Sequence, residues 1–256
     1  MRGPRFDDSP FELRLDDGRS LPCRIRVSRR SRRVRLTLTP RDGLVMVTPP
    51  GTERAWLTGL AEQWRGWVAR QLEELGIEAI EELGIPQATL PERILLPAIG
   101  ESWQLLHRYA PGVGQRVRAT TRGVLVLSGD CSELVASARA IERWLMRRAR
   151  EVLPPMLEAL SQETGLAFRS VSVRAQKSRW GSCSSTGDIS LNYQILFLTP
   201  ELARHVLLHE LCHTVRLDHS PRFWRTVARF EPDLEMRRAE MRRSWAQVPA
   251  WLLASR

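Results

Sequence analysis

The sequence predicts an α+β fold in which a β-rich N-terminal subdomain, with some helix, precedes a largely helical C-terminal subdomain. Two observations support this prediction. Between residues 11 and 48, apolar and polar side chains alternate with a period of two, which is typical of short strands. After residue 131, apolar residues recur mostly at helical spacing. We therefore expect subdomains at residues 1–130 and 131–256.

The first elements expected along the chain are four strands, at residues 11–15, 23–27, 34–39 and 44–47. Thr52 is then expected to cap a helix that runs to about residue 76 with its tryptophans in the core. A short charged helix ending near Gly84 follows, and further strands are predicted at residues 103–107 and 124–127. No internal repeat is apparent.

The C-terminal half is predicted to be helical, apart from a strand at residues 171–174 and a hairpin that covers residues 178–196. An Asp130-x-x-Glu133 capping box opens the first long helix. We expect this helix to break or kink at Pro154-Pro155, because proline lacks an amide donor and clashes with the preceding turn. Later helices are expected to begin at Thr199-Pro200, Ser220-Pro221 and near Pro232.

The composition is that of a globular chain that can bury a full core. Its 256 residues are 43% hydrophobic, with no run of about 18 apolar residues and no apolar stretch typical of a secretory leader. The four cysteines form no Cys-x-x-Cys pair, which argues against a disulfide framework or a structural zinc knuckle. We expect a cytoplasmic protein without a membrane partner, and the sequence does not predict its oligomeric state.

The net charge of +10 favours an anionic partner such as nucleic acid or a nucleotide. Lys177 is the only lysine, so the arginine excess can equally reflect coding composition. The densest cluster lies between the strands at 23–27 and 34–39, which we expect to pair as a basic hairpin. Its candidate phosphate contacts are Arg29, Arg30, Arg32 and Arg33. The alternative is an ordinary solvated face.

The helix after Thr199 carries the pattern His209-Glu210-x-x-His213, and His219 follows six residues later. Because positions i and i+4 share one face of a helix, His209 and His213 can point at one metal ion. Glu210 can then reach a metal-bound water without ligating the metal. Three protein ligands with an open fourth position are typical of catalytic zinc. We therefore expect Zn²⁺ bound by the three histidines, with Glu210 as the catalytic base.

Arg216 departs from the related longer motif, which has glycine at this position. The helix must end without that glycine, so the sequence does not assign the chain to the metzincins. Asp218 is either a hydrogen-bond partner of a ligand or a surface residue, and His205 is expected to pack or to support the site.

Four motifs occur in order along the C-terminal half: Lys177-Ser178-Arg179-Trp180-Gly181-Ser182-Cys183-Ser184, Ile189-Ser190-Leu191-Asn192, His209 to His219, and Ser220-Pro221-Arg222-Phe223-Trp224. In this combination the chain resembles the YgjP-like metallopeptidase family, over about residues 24–245. That family is regarded as related to the SprT-like and WLM zincins, some of which cleave proteins crosslinked to DNA. The resemblance implies a compact zincin-like unit, in which a backing helix and a small sheet with a peptide-binding edge surround the metal helix. It also implies the same three histidine ligands and Glu210 as the base.

Other candidate site residues lie near the hairpin. Lys177 and Arg179 are hypothesised to stabilise an anionic substrate group or intermediate, whereas Trp180-Gly181 can instead simply pack the hairpin on the metal helix. Tyr193 is a candidate oxyanion donor, with a purely structural role as the alternative.

The sequence thus predicts a zinc-dependent hydrolase, specifically a metallopeptidase that acts on a protein or peptide through a zinc-bound water activated by Glu210. One alternative keeps the site but cleaves a phosphoanhydride, as a metal-dependent nucleotide phosphohydrolase (pyrophosphatase). Another is a basic nucleic-acid-associated protein with a structural zinc.

Overall fold

The computed structural model describes residues 5–6, 10–39, 42–75, 90–120, 123–130, 132–176, 179–249 and 251–252. The predicted α+β class is confirmed, and the chain divides into two compact units at residues 1–86 and 87–256. The sequence placed this boundary at residue 130. The difference arises because Leu125 and Leu127, just before that point, share one core with Ile141 and Leu145 of the following helix.

Two further expectations concern single segments. The predicted charged helix ending near Gly84 lies outside the described residues. Among the helices that the structure describes, none is both long and apolar enough to cross a bilayer.

The first unit contains one five-stranded sheet. Its strands are β1 (Arg5–Phe6), β2 (Phe11–Arg14), β3 (Ser20–Val27), β4 (Arg35–Thr39) and β5 (Gly43–Thr48). They lie in the order β1-β3-β5-β4, and β2 also pairs with β3. Leu21, Cys23 and Ile25 alternate with less buried residues along β3 and contribute to the core of this unit.

The predicted basic hairpin of residues 23–39 is wrong, because β3 and β4 do not pair. Strand β5 lies between them, parallel to β3 and antiparallel to β4. Residues 44–48 of β5 are all buried, which is typical of a central strand, whereas β3 buries only alternate residues. Val27, which was expected to face the core, is 38% exposed.

Two helices follow this sheet where the sequence predicted one. They are α1 (Arg54–Gln63) and α2 (Arg65–Leu75), and they meet at Trp64. Thr52 does not cap α1, since its hydroxyl donates to the carbonyl of Pro49 and Glu53 is the N-cap residue. Trp56 is 54% exposed, whereas Trp64 and Trp67 pack against the core.

The second unit begins with a four-stranded sheet. Its strands are β6 (Arg93–Leu96), β7 (Glu101–Tyr109), β8 (Arg116–Ala119) and β9 (Val124–Gly129), in the order β6-β7-β9-β8. The strands predicted at residues 103–107 and 124–127 are therefore present as parts of β7 and β9.

The two units repeat one topology that the sequence did not reveal. In each, a hairpin (β2–β3 or β6–β7) is followed by an antiparallel pair (β4–β5 or β8–β9). The last strand then lies parallel to the second strand of the hairpin. The turn before that last strand uses a left-handed glycine in both units, Gly43 at φ 64° and Gly123 at φ 71°.

Helix α3 (Leu134–Thr164) is continuous, so the break expected at Pro154-Pro155 is wrong. The prolines deprive the carbonyls of residues 150 and 151 of helical partners, but both residues are exposed, where water can bind them. Leu153 and Leu157 on either side are fully buried. Packing therefore holds the helix together across the two prolines.

The start of α3 also differs from the prediction. Glu133 is the N-cap residue and makes no side-chain cap hydrogen bond, so the expected capping box is absent. The carboxylate of Asp130 instead accepts from the amide of Ser132 at 3.1 Å and stabilises the turn before the helix.

The remaining elements surround the predicted metal helix. A second sheet contains β10 (Ser170–Arg174), β11 (Gly181–Cys183) and β12 (Asp188–Asn192), in the order β10-β12-β11. Strands β11 and β12 form the predicted hairpin, although Tyr193–Phe197 is a 3₁₀ helix rather than a continuation of the strand. Helices α4 (Pro200–His213), α5 (Pro221–Ala228) and α6 (Leu234–Arg243) follow. Helix α4 packs against α3, α5, α6 and β11, so that it runs through the core.

Candidate metal centre

Helix α4 carries the predicted metal motif and begins as its sequence indicates. The hydroxyl of Thr199 accepts a hydrogen bond from the amide of Leu202 at 3.3 Å, and Pro200 occupies the first turn. Most of the helix is buried. Its C-terminal turn is therefore a rigid support for His209 and His213, which lie one turn apart on the same face.

Three imidazoles converge at the end of α4. The Nε2 atom of His209 lies 3.1 Å from Nε2 of His213 and 3.1 Å from Nε2 of His219. One ring nitrogen from each histidine lies within 4.8 Å of the others. Two nitrogens that each bind one zinc ion at about 2.0–2.1 Å are roughly 3.3 Å apart in a tetrahedral site. The spacing therefore fits one divalent cation shared by the three rings.

The protonation of the rings suits a cation as well. Nδ1 of His213 lies 2.8 Å from the carbonyl oxygen of Arg216, to which it donates, and this leaves the lone pair of Nε2 free. Burial lowers the pKa of His209 to about 3, and the neighbouring His213 and His219 rings lower it further. The His209 ring is thus neutral at pH 7, as a metal ligand must be.

The chain reverses after α4 without the glycine of the related motif. The amides of Val215 and Arg216 donate to the carbonyl of Cys212 at 3.2 and 3.0 Å. Thr214 keeps a helical backbone, and within the described residues every positive φ belongs to a glycine. Arg216 therefore needs no strained conformation, and its carbonyl orients His213. Asp218 accepts from the amide of Ser220 at 3.2 Å, so it supports the start of α5.

Phe223, on the first turn of α5, packs against all three histidines. Its ring centroid lies 4.9 Å from that of His209, 4.5 Å from His213 and 5.1 Å from His219. Phe223 is fully buried. A rigid aromatic surface therefore restricts the orientations of the three rings, a role that the sequence analysis did not identify.

Glu210 lies directly over the backbone of β11. A Cβ atom placed on Gly181 would be only 2.6 Å from Cγ and 2.6 Å from Oε1 of Glu210, which no real side chain tolerates. Glycine at position 181 therefore permits this carboxylate to approach the strand. A glycine inside a strand pattern is a sequence signal for close approach, and it could have identified Gly181.

The carboxylate of Glu210 is buried and only partly bonded. Burial raises its pKa to about 8, and the positive charge of Arg179 acts in the opposite direction. A cation bound by the histidines would also lower it. Oε2 of Glu210 has no hydrogen-bond partner among the described residues. This oxygen is available to accept a proton from a water molecule beside the histidines.

A cavity of about 410 Å³ opens beside His209 and Glu210. It is lined by Arg179, Trp180, Gly181, His205, Val206, His209, Glu210, Trp224, Arg238, Met241 and Arg242. His205, expected to pack or support the site, is buried, and its Nδ1 is paired with the carboxylate of Glu231.

The other predicted site residues are distributed unevenly. Arg179 is at the cavity, whereas Lys177 lies outside the described residues. Tyr193 is not at the cavity: it is fully buried, and its phenol donates to Glu142 of α3 at 2.9 Å. The four arginines of the β3–β4 connection are all exposed in the first unit, and their contact with phosphate stays a prediction. They are Arg29, Arg30, Arg32 and Arg33.

Comparison with known proteins agrees with the character of the site. The model of the YgjP-like family, described as "YgjP-like, metallopeptidase domain", matches residues 32–244. A search of the curated proteins found no match. Among solved structures, the chain is similar to the crystal structure of the metallopeptidase zymogen of Pyrococcus abyssi abylysin. The two are 28% identical, with 36% of this chain and 90% of that chain covered and a TM-score of 0.32.

Proposed function

The chain belongs to the YgjP-like metallopeptidase family and is a hydrolase of the peptidase class, and from this premise we propose that it cleaves proteins or peptides with zinc bound by His209, His213 and His219. Glu210 is the general base in this proposal. The observation that carries it is the convergence of three Nε2 atoms beside a buried carboxylate oxygen that has no partner among the described residues.

The residues of the chain divide the chemistry between them. A zinc ion held by the histidines supplies a Lewis acid that polarises a carbonyl group and acidifies water. Glu210 accepts the proton of the attacking water at Oε2 and passes it to the departing amine. Its burial removes competing solvent and keeps the carboxylate fixed at the base of the cavity.

Strand β11 is placed to hold the substrate. It pairs with β12 on one side, and no described strand pairs with its other side. An extended peptide can add to such an edge through main-chain hydrogen bonds. Because Gly181 of β11 contacts Glu210, a peptide on this edge would pass close to the catalytic base.

Substrate assays with one matched variant test the proposal. Wild type and Glu210→Gln, each with its zinc content measured, are assayed against unfolded proteins, DNA-bound proteins and nucleotides. We expect one zinc ion per chain in both, peptide cleavage by the wild type, and a loss of about 10²–10⁴-fold in Glu210→Gln. Full activity of Glu210→Gln would contradict the mechanism.

The same assays separate the alternative functions. Nucleotide cleavage without peptide cleavage, lost in Glu210→Gln, would assign the site to a phosphohydrolase. Retained zinc with no hydrolysis of any substrate would assign a structural role to the metal.

Arg179 and Lys177 are proposed to stabilise an anionic group of the substrate or intermediate. The position of Arg179 at the cavity supports this for Arg179. Replacing each with alanine, with zinc content and fold retained, is expected to lower turnover, and unchanged rates would contradict it.

We also propose that the protein works in the cytoplasm. The thiols of Cys23, Cys183 and Cys212 are free, which agrees with a reducing compartment. Fractionation of cells that express the full chain tests this location, and recovery outside the cytoplasmic fraction would contradict it.

A further inference from the structure

The cavity beside Glu210 has an unusual balance of charge. Three arginines line it: Arg179 lies just before β11, and Arg238 and Arg242 lie one turn apart on α6. Glu210 is the only acidic side chain among its described lining residues. The site thus offers several guanidinium groups and only the catalytic carboxylate to balance them.

Arginine is abundant in this chain, so the pairing of these arginines matters more than their number. Elsewhere in the second unit, arginines commonly face an acid, as in Arg148–Glu101, Arg169–Asp188 and Arg204–Glu163. By contrast, neither Arg179 nor Arg242 has an ion pair with any described residue. Their positive charges are therefore available to a ligand in the cavity.

Arg238 is held in place for the same purpose. Its guanidinium carbon lies 4.1 Å from the centroid of the Trp224 ring, which also lines the cavity. Its ion pair with Glu235, at 2.9 Å, involves a glutamate side chain that is 82% exposed. A surface pair of this kind is weak, and the five donors of a guanidinium leave others free for a bidentate contact with a carboxylate.

The remainder of the lining suits a side chain with an apolar stem. Val206, Met241 and Trp224 supply apolar surface between the arginines. His205 is 4% exposed and lines the cavity, and its Nδ1 is engaged by Glu231. A methylene chain that ends in a carboxylate would meet apolar walls along its length and basic groups at its end.

We infer that this cavity accepts an acidic side chain of the substrate, so that the enzyme prefers peptide bonds next to glutamate or aspartate. The inference rests on the proposed function and specifies its substrate class. Arg238 and Arg242 are the residues that determine the preference, because both line the cavity from α6 and neither belongs to the group of histidines or to the base.

Two matched peptide libraries test the preference directly. They differ only in having glutamate or glutamine beside the scissile bond, and kcat/KM is measured for both with the zinc-loaded enzyme. We expect the wild type to prefer glutamate by about tenfold or more, since a charge-assisted contact replaces a neutral one. Arg238→Gln and Arg242→Gln should each reduce this ratio towards one, and Arg242→Glu should favour lysine over glutamate. Arg243→Gln is the control, because Arg243 is exposed and does not line the cavity.

Binding provides a readout that does not depend on turnover. The hexapeptides Ala-Ala-Glu-Ala-Ala-Ala and Ala-Ala-Gln-Ala-Ala-Ala are titrated into zinc-loaded Glu210→Gln, with calorimetry as the measurement. Tighter binding of the glutamyl peptide, lost in Glu210→Gln/Arg242→Gln, is expected. Equal cleavage and equal binding of the two peptides would overturn the pocket while leaving the peptidase intact. Tighter binding of the glutamyl peptide without cleavage of any peptide would overturn the proposed function but support the pocket.

Discussion

Replacing Gly181 with alanine tests the contact between β11 and the catalytic base. The new Cβ atom would lie 2.6 Å from Cγ of Glu210, whereas two carbon atoms in contact need about 3.5 Å. The carboxylate must therefore move by about 0.9 Å. A displacement of about 1 Å at a catalytic group costs roughly 10²-fold in rate.

We expect Gly181→Ala to lower kcat for peptide cleavage by about 10²-fold and to lower stability by about 1–3 kcal/mol through overpacking. Zinc content should stay at one ion per chain, because the histidines are not displaced. Gly114→Ala is the control, since a Cβ atom there meets no atom within 4 Å. The measurements are steady-state kinetics, metal analysis and thermal unfolding. If Gly181→Ala retains kcat within about threefold of the wild type, the inferred role of this contact in placing Glu210 is wrong.

Three further substitutions have distinct expected outcomes. Phe223→Leu should weaken zinc binding by about 10–100-fold in a chelator competition, because residues behind the ligands tune affinity to that extent, whereas Phe168→Leu should not. Burial raises the pKa of Glu101, but hydrogen bonds from Arg148 and Trp103 hold it below its usual value. Its contribution to stability is therefore present above about pH 4.5 and is lost as pH falls through the lower folded-state pKa, so Glu101→Gln should destabilise by about 1 kcal/mol at pH 7 and progressively less in acid. If the exposed arginines of the β3–β4 connection bind phosphates, the slope of log affinity for duplex DNA against log salt should fall by about 0.9 for each contact removed. No DNA binding by the wild type would end that prediction, which concerns Arg29, Arg30, Arg32 and Arg33.

Features encoded by local signals could be predicted from the sequence. Thr199 and Pro200 begin α4 as expected, because capping depends on a few adjacent residues. The grouping of His209, His213 and His219 follows from helical geometry and from a short return of the chain. The hairpin of β11 and β12 is likewise a local structure.

Features that depend on distant contacts could not be predicted in this way. Nothing between β3 and β4 indicates that β5 inserts between them, since that depends on which strand becomes central. Pro154-Pro155 reads as a helix break, but the burial of Leu153 and Leu157 overrides the local preference.

The site shows the same division. Gly181 and Glu210 are far apart in sequence, and only the packing of β11 on α4 brings them into contact. Tyr193 was expected near the chemistry because of its sequence position, but the 3₁₀ turn after β12 directs its phenol to Glu142 of α3.

X-ray absorption at the zinc edge of the zinc-loaded wild type tests the central claim most directly. The account predicts three imidazole nitrogens at about 2.0–2.1 Å and one further light ligand from solvent. A sulfur ligand at about 2.3 Å, or fewer than three imidazoles, would contradict the assignment of His209, His213 and His219 as a catalytic metal site.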